Sequence, residues 1–422
     1  MNVKTNSGFI KLLSDFVESD ALPPDQGDVQ REPQGTSGGY RARLWILTRE
    51  PGNCNTVNTL DSSPEIWKSV PAAVITRKDV DRATRWVYPQ DPLLSDTVSS
   101  HATDVKTNSG FIKLLSDFVE KTRCPLTKVT YSENRGDQWI QDEMEFGYTE
   151  APHKRFPVVL DSPRNRGLKN FPVSEVLGPD FGYVTREPGN RNTVNTLDSF
   201  GNLEVSPPVT AGGKSYPLGR ILIGDSLHMG NMRMSQVVRD FLGAQQVQPP
   251  VFLFSTWLYV GHIDEFMSFV PAPDRKGFRL LLASPRSCLQ VLTQKQKEGH
   301  GGGAVMFEGL GTTEYTIDDI LADETLKQSS ETCQESIDLN RKIMKKELGL
   351  SEDDIIDIPM LYKCDSSMEC AESFFPNMVN MLVLGKYLGI PKPFGPPNLW
   401  LLLPGGEGAV LAGAPGTALH LP

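Results

Sequence analysis

Short apolar runs alternate with helical patterns from about residue 105 onward, and this alternation restricts the fold more than any other feature. The apolar runs are separated by turn residues, as strands are, and lie at 156–160, 251–260, 278–283 and 378–385. Apolar residues recur at helical spacing at 111–119, 234–242 and 331–348. Strands that alternate with helices predict an α/β fold.

The composition limits the partners and the compartment that we expect. A formal net charge of −10 argues against nucleic acid as the main partner. It suits basic substrates or divalent cations, although an ordinary solubilising surface has the same sign. No apolar run approaches the ~20 residues of a membrane span, and the N-terminus lacks the apolar core of a signal peptide. The six cysteines have no C-x-x-C spacing, which favours reduced thiols in a cytoplasmic protein.

Two segments of the sequence occur twice, at different offsets. The paired copies are 3–18 with 105–120 and, apart from Cys54 in place of Arg191, 48–62 with 185–199. A tandem domain repeat would keep one period, so we interpret the first copies as short segments copied or misjoined upstream. We expect the second copies to be the ones in their native context.

The chain accordingly divides into three parts. We expect an irregular or rearranged region at 1–104, a folded domain at 105–396 and an aberrant tail at 397–422. The tail contains no Lys or Arg and is rich in Leu, Gly, Ala and Pro. It has the character of an out-of-frame or read-through terminus, and a short hydrophobic interaction tail is the alternative.

The densest polar cluster of the sequence lies at 134–148. If this segment is extended, Gln141, Glu143 and Glu145 point to one face and Asp142 points to the other. Oxygen ligands gathered on one face suit Ca²⁺, which takes six to eight of them. A solvated acidic strand face explains the same spacing.

Two further segments carry oxygen ligands at turns. Asp161, Ser162 and Asn165 lie in a Pro-containing turn, and Glu204 follows a Gly-Asn turn whose backbone oxygens could also bind a cation. The first of these segments is not an EF-hand, because the spacing of acidic residues in that motif is absent. Taken singly, each such segment is more often a plain turn.

His262 and Asp264 stand two residues apart at the end of a predicted strand, and would share one of its faces. Such a pair can supply a general acid/base and a carboxylate that binds a cation, or it can be structural. Asp142 and Asp264 would together clamp a guanidinium group if they are close in space.

Seven ordered motifs resemble the protein-arginine deiminases, over about residues 105 to 396. They are RGDQWIQDEMEFGY, APHKRFPVVLDSPRNRG, GPDFGYVTRE, LDSFGNLEVSPPV, YPLGRILIG, VGHIDEFMSFVP and FFPNMVNMLVLGKYLGIPKPFGP. The resemblance implies a pentein-type α/β propeller of pseudo-fivefold ββαβ modules, here without its last module. It also implies Ca²⁺-dependent conversion of peptidyl-arginine in protein substrates to peptidyl-citrulline, with release of ammonia.

The resemblance also implies roles for individual residues. Asp142 and Asp264 would hold the substrate guanidinium, and His262 would act as the general acid/base. The implied substrate contacts are Trp139, Val260 and Arg166. The implied ligands of a first calcium site are Gln141, Glu145 and Glu204 by side chain and Phe200 and Leu203 by backbone oxygen. Those of a second site are Glu143, Asp161, Ser162 and Asn165. Calcium would then act as a structural switch that organises Trp139 and Asp142.

The sequence departs from the family pattern in two respects. Members use a cysteine thiolate near the C-terminus as nucleophile, whereas here the pattern stops at Pro396 and no cysteine follows. We therefore expect the nucleophile to be absent from this chain. The immunoglobulin-like domains that support dimers in some members have no recognisable counterpart at 1–104. Two functions stay open: a protein-arginine deiminase by family, and a catalytically dead calcium- or arginine-peptide-binding protein or misjoined fragment.

Overall fold

The computed structural model describes the larger part of the chain from residue 116 to residue 395. The described residues are 43–46, 86–89, 116–119, 126–129, 137, 139–151, 154–177, 182–185, 194–226, 232–272, 276–307, 312–364, 370–384, 387–395 and 410–411. Most of the predicted irregular region and of the predicted tail lies outside them, as do the upstream copies of both duplicated segments.

Helices and strands alternate along the described residues, so the predicted α/β character is confirmed. The strands are β1 Arg43–Ile46, β2 Trp86–Pro89, β3 Leu126–Val129, β4 Met144–Ala151, β5 Lys154–Asp161, β6 Gly182–Val184, β7 Leu203–Val205, β8 Val209–Ala211, β9 Lys214–Tyr216, β10 Ile221–Asp225, β11 Val251–Phe254, β12 Met267–Pro271, β13 Phe278–Ser284, β14 Val305–Met306, β15 Tyr315–Thr316, β16 Ile355–Pro359, β17 Tyr362–Cys364, β18 Ala371–Ser373, β19 Leu382–Leu384, β20 Tyr387–Pro391 and β21 Val410–Leu411.

The α-helices are α1 Ile140–Glu143, α2 Gln236–Ala244, α3 Pro285–Lys295, α4 Ile317–Ala322 and α5 Glu324–Leu348. Short 3₁₀ turns occur at Thr196–Asp198, Phe200–Asn202, Ile263–Glu265 and Glu352–Asp354, and π turns at Pro172–Val176 and Gln296–His300. None of the helices within the described ranges is both long and apolar enough to cross a membrane.

Three sheets carry the elements that matter for function. Their strand orders are β1-β4-β5-β6, β11-β10-β7 and β12-β13-β16. Strands β4 and β5 are antiparallel, with Met144 opposite Asp161. The parallel pairs β10·β11 and β13·β16 are joined through helices, as parallel neighbours require. The sheets thereby bring the ends of β4, β7 and β12 near one another through the short turns that precede them.

Helix α5 packs the largest core cluster against the β12-β13-β16 sheet. Asp323 caps its first turn by accepting from Leu326 N, and Gly349 ends it in the left-handed region at φ 65°. Its buried Asn340 accepts from Phe254 N at 2.8 Å and donates to Phe254 O at 2.7 Å. These two bonds join the helix to strand β11.

The sequence predicted some of these elements better than others. The apolar runs at 156–160 and 278–283 lie within β5 and β13. The run at 251–260 is a strand only as far as Phe254, because the chain turns at Ser255, whose carbonyl accepts from Leu258 N. The run at 378–385 is a strand only at Leu382–Leu384. Short buried runs also form turns, so periodicity alone overestimates strand length.

Two local predictions about functional segments were wrong. The acidic segment is not extended through Glu143, because residues Ile140–Glu143 form one helical turn before β4 begins. His262 and Asp264 do not share a strand face, because they lie at a 3₁₀ turn over Ile263–Glu265. In both places the direction of neighbouring carboxylates is set by a tight turn and not by the alternation of side chains along a strand.

Candidate active site

Three turns meet at one point and bring Asp142, His262 and Asp264 together. Helix α1 packs against the turn at Phe200–Asn202, and this turn packs against the one at Ile263–Glu265. A β-carbon built on Gly201 would lie 2.6 Å from His262 Nδ1, 2.8 Å from Asp264 Oδ2 and 2.9 Å from Asp142 Oδ1. The acid/base candidate and both clamp carboxylates therefore converge over the Gly201 α-carbon.

The imidazole of His262 is buried and held from both sides. Its Nε2 lies 2.8 Å from Thr196 O, and since a carbonyl only accepts, Nε2 must carry a proton. Its Nδ1 lies 3.6 Å from Asp142 Oδ1, so Nδ1 is the ring atom that faces the two carboxylates. The bond to Thr196 fixes the orientation of the ring.

Glu265 stabilises the turn that carries His262 through hydrogen bonds of its side chain and backbone. Its Oε1 accepts from His262 N at 2.9 Å, and its backbone oxygen accepts from Tyr362 Oη at 3.1 Å and Asn377 Nδ2 at 2.6 Å. Burial raises the pKa of this carboxyl to about 8, although the backbone hydrogen bonds oppose the shift. Glu265 therefore anchors the His262 turn to two other parts of the chain.

Glu143, Asp161 and Ser162 form a buried oxygen cluster behind the clamp. The backbone joins them, because Ser162 N donates to Glu143 O at 2.9 Å. Burial, with the charge of Asp161 second, raises the pKa of Glu143 to about 9. Burial also raises the pKa of Asp161 to about 7, while hydrogen bonds from Tyr183 and Thr185 oppose that shift.

A buried guanidinium links this oxygen cluster to the clamp. Arg164 Nη2 donates to Asp137 Oδ1 at 2.6 Å, and its Nη1 donates to Glu143 Oε2 at 3.3 Å. Nη1 also donates to Trp139 O at 3.2 Å, and Nε lies 3.9 Å from Asp142 Oδ2. One side chain thus contacts both carboxylates of α1 and the residue that precedes them.

The oxygen cluster fits a hard cation in its donor chemistry. Glu143 Oε1, Asp161 Oδ1 and Ser162 Oγ are buried and have no hydrogen-bond partner, and unpartnered buried oxygens are costly. Ca²⁺ takes carboxylate and hydroxyl oxygens of this kind. Within the described residues, however, no three His, Cys, Asp or Glu side chains are already gathered as a metal site. Asn165 is exposed on the same loop.

The residues expected to form the first calcium site lie on α1, on β4, in the turn at Phe200–Asn202 and on β7. Gln141 Nε2 donates to Glu145 Oε1, which places these two side chains together. Phe200 and Leu203 are buried, and Phe200 O already accepts from Leu203 N within the turn. Glu204 Oε1 accepts from Val205 N at 3.0 Å.

The expected substrate contacts are more open to solvent. Trp139 and Val260 are half-buried and flank α1 and the His262 turn, respectively, whereas Arg166 is exposed. Sequence reasoning missed Gly201, Arg164 and Glu265 as site residues. Arg164 and Gly201 lie inside the oxygen-rich turns at 160–167 and 198–208, so their position beside the expected ligands was the only available signal.

The protein-arginine deiminase family model matches residues 86–398, so this chain belongs to that family. It is 54% identical to human protein-arginine deiminase type-4 over 345 residues, which cover 81% of this chain and 51% of that protein. It is 52% identical to human type-3, with the same shares covered, and 55% identical to human type-1 over 73% of this chain and 46% of that protein. The chain therefore spans about half the length of these relatives.

Among solved structures, an agmatine deiminase from C. jejuni is similar, with a TM-score of 0.37 and 10% sequence identity. The match covers 74% of this chain and 80% of that chain.

Proposed function

We propose that this chain binds the side chain of a protein arginine in a calcium-dependent manner, as part of the deimination of peptidyl-arginine to peptidyl-citrulline. The observation that carries the proposal is the convergence of His262, Asp264 and Asp142 over Gly201. Two carboxylates at one point suit a guanidinium, because its planar N–H groups pair with carboxylates through directional hydrogen bonds.

In this proposal Asp142 and Asp264 bind the guanidinium and increase the positive charge that its carbon carries. His262 donates or accepts a proton at Nδ1, because its Nε2 proton is engaged by Thr196 O. Trp139 and Val260 border the arginine stem, and Arg166 extends from an exposed loop toward the peptide backbone. Family resemblance implies a cysteine nucleophile, and no cysteine follows Cys370 in this sequence.

Two of the four described cysteines are poorly suited to act as another nucleophile. Cys288 and Cys333 are buried, and burial raises the pKa of both thiols well above the usual range. A thiol with a raised pKa is a poor source of thiolate. For these two thiols the observation is consistent with the second candidate function, an arginine- and calcium-binding protein that does not complete the reaction; Cys364 and Cys370 are half-buried.

Ca²⁺ would be held in the second site by Glu143, Asp161 and Ser162, with Asn165 from the exposed part of the loop. In the first site the ligands would be Gln141, Glu145 and Glu204, with backbone oxygens of Phe200 and Leu203. The ion would supply positive charge that allows Glu143 and Asp161 to ionise side by side. Glu143 directly precedes β4 and directly follows Asp142. A shift of Glu143 on binding the ion would therefore also shift Asp142, which binds the guanidinium.

We also propose the domain, the location and the partners that the resemblance implies. It comprises a pentein-type propeller domain over residues 105–396, a cytoplasmic location and arginine-containing proteins as partners. The family match covers residues 86–398, which supports a deiminase-type domain here but begins within the region expected to be irregular. Closure of a propeller, the first calcium site and dimer formation are expectations that the same resemblance supplies.

The test measures binding and turnover separately on the 422-residue chain. Calorimetry with N-acetyl-arginine amide, with Ca²⁺ or with chelator, should show calcium-dependent binding that N-acetyl-citrulline amide does not share. Asp142→Asn and Asp264→Asn should weaken this binding, whereas Asp353→Asn, at an exposed turn position, should not. Citrulline release in the same samples distinguishes the enzyme from the binding protein. Calcium-independent or absent arginine binding would overturn the proposal.

A further inference from the structure

We propose that Gly201 is a specificity-determining residue: its bare α-carbon forms the floor of the guanidinium slot and keeps the clamp atoms at their spacing. This inference rests on the proposed function. It starts from the three distances of 2.6, 2.8 and 2.9 Å between a built β-carbon and the polar ends of His262, Asp264 and Asp142. Contacts under 3.0 Å are essentially never made by real β-carbons, so any side chain here must displace the clamp.

The backbone itself does not require glycine at this position. Gly201 is absent from the glycines with positive φ in the described residues, and its turn conformation is one that alanine adopts without strain. At Gly349, by contrast, φ is 65° and a β-carbon would meet the backbone oxygen of Thr210. The three atoms nearest to a β-carbon at Gly201 all belong to clamp side chains.

The turn that carries Gly201 cannot easily move away from the clamp. Its neighbours Phe200 and Asn202 are fully buried. Asn202 Nδ2 donates to Leu197 O at 3.2 Å and to Gly224 O at 3.0 Å. The displacement must therefore be taken up by the clamp side chains.

Among the three clamp side chains, His262 lies nearest to a β-carbon at position 201 and is the least free to move away from it. Its Nδ1 would have to move about 0.8 Å to reach an ordinary contact of 3.4 Å. The ring is held at Nε2 by Thr196 O and at its backbone N by Glu265. A methyl group at position 201 would thus shift the imidazole of His262 and move the carboxylates of Asp142 and Asp264 apart. It would also occupy the surface against which the planar guanidinium packs.

The test compares Gly201→Ala with Gly243→Ala, because a β-carbon at Gly243 meets no atom within 4 Å. Loss of one charged hydrogen bond corresponds to about a 10- to 100-fold change in affinity. We expect Gly201→Ala to weaken N-acetyl-arginine amide binding by that factor, while Ca²⁺ still raises its thermal transition. Gly243→Ala should bind as the unchanged protein does. Equal binding by Gly201→Ala would overturn the inference alone, whereas no binding by the unchanged protein would overturn the proposed function as well.

A second measurement keeps the inference testable if Gly201→Ala folds poorly. The closest clash is with the His262 ring, so removing that ring should relieve it. In a double-mutant cycle, Gly201→Ala should cost less unfolding stability in a His262→Ala background than in the unchanged chain. If the cost is equal in both backgrounds, the clash with the clamp is not the reason for glycine, and the inference fails.

Discussion

Glu143→Gln should stabilise the metal-free protein and weaken its response to calcium. The Glu143 side chain is completely buried and contacts Arg164 through one oxygen only, while its Oε1 has no partner. Burial raises its pKa from an ordinary value of 4.5 to about 9 in the folded chain. Glutamine has nearly the same shape, carries no charge and can still accept from Arg164 through its amide oxygen.

The sign of the effect follows from the direction of the shift. A carboxyl whose folded pKa is raised contributes its full stability below the unfolded value of about 4.5, and loses it as pH rises toward 9. Each pH unit in that window corresponds to about 1.4 kcal/mol. At pH 7.5 the unchanged protein should therefore have lost roughly 4 kcal/mol at this position, which the glutamine variant retains.

The assay is urea unfolding followed by circular dichroism in chelator, at pH values from 5 to 8.5. The difference in free energy of unfolding between Glu143→Gln and the unchanged chain should be small near pH 5 and grow with pH. Glu335→Gln, an exposed position on α5, controls for the substitution itself and should give no such trend. A difference that is absent at pH 8, or that does not change with pH, would refute the reasoning.

Calcium should narrow the difference in stability between the two proteins. A ligand at about 100 times its dissociation constant stabilises the folded state by about 2.7 kcal/mol. The unchanged chain should gain this stability, because the ion neutralises Glu143 and Asp161 together. The glutamine variant lacks one carboxylate and should gain clearly less, which thermal unfolding with and without Ca²⁺ measures.

Three further outcomes follow from individual contacts. Asp264→Asn should reduce N-acetyl-arginine amide affinity about 10- to 100-fold by calorimetry, whereas Asp353→Asn should leave it unchanged. Arg164→Met should lower the free energy of urea unfolding by about 3 kcal/mol or more, because Asp137 is left buried without its partner; Arg286→Met, which removes a more exposed ion pair with Asp338, should cost less than about 1 kcal/mol. Asn340→Ala should cost about 1 to 3 kcal/mol in the same assay, because Phe254 N loses its bond to Asn340, whereas Phe254 O still accepts from Trp257 Nε1 at 3.0 Å; an equal cost for Thr332→Ala, on the exposed face of α5, would contradict that account.

The sequence predicted the regular elements well where one face had to be buried. Strands β5 and β13 and helix α5 follow their apolar patterns closely, because an element that buries one face has an apolar residue at regular intervals in its sequence. The turns at α1 and at Ile263–Glu265 left no such signal. Their shape depends on partners far along the chain, such as Thr196 and Tyr362 for the His262 turn.

The candidate site shows the same limit. Residue types and family resemblance singled out Asp142, His262 and Asp264, and the structure places them together. Neither could show that they meet over Gly201, because that contact joins three separated segments. The sequence did not indicate Glu265 either. Its role depends on its burial and on its bond to His262 N, and residue spacing does not show which carboxyl groups are buried.

The paired hydrogen bonds between Asn340 and Phe254 have a consequence for how the chain is made. The two residues are 86 positions apart, and a ribosome adding about 5–20 residues per second would need roughly 4 to 17 s to pass from one to the other. Until α5 is made, the edge of strand β11 lacks the side chain that satisfies it. Strand β10 can pair with it at once, because it was made earlier. Chaperone contact with the nascent chain should therefore be concentrated between the synthesis of β11 and the completion of α5.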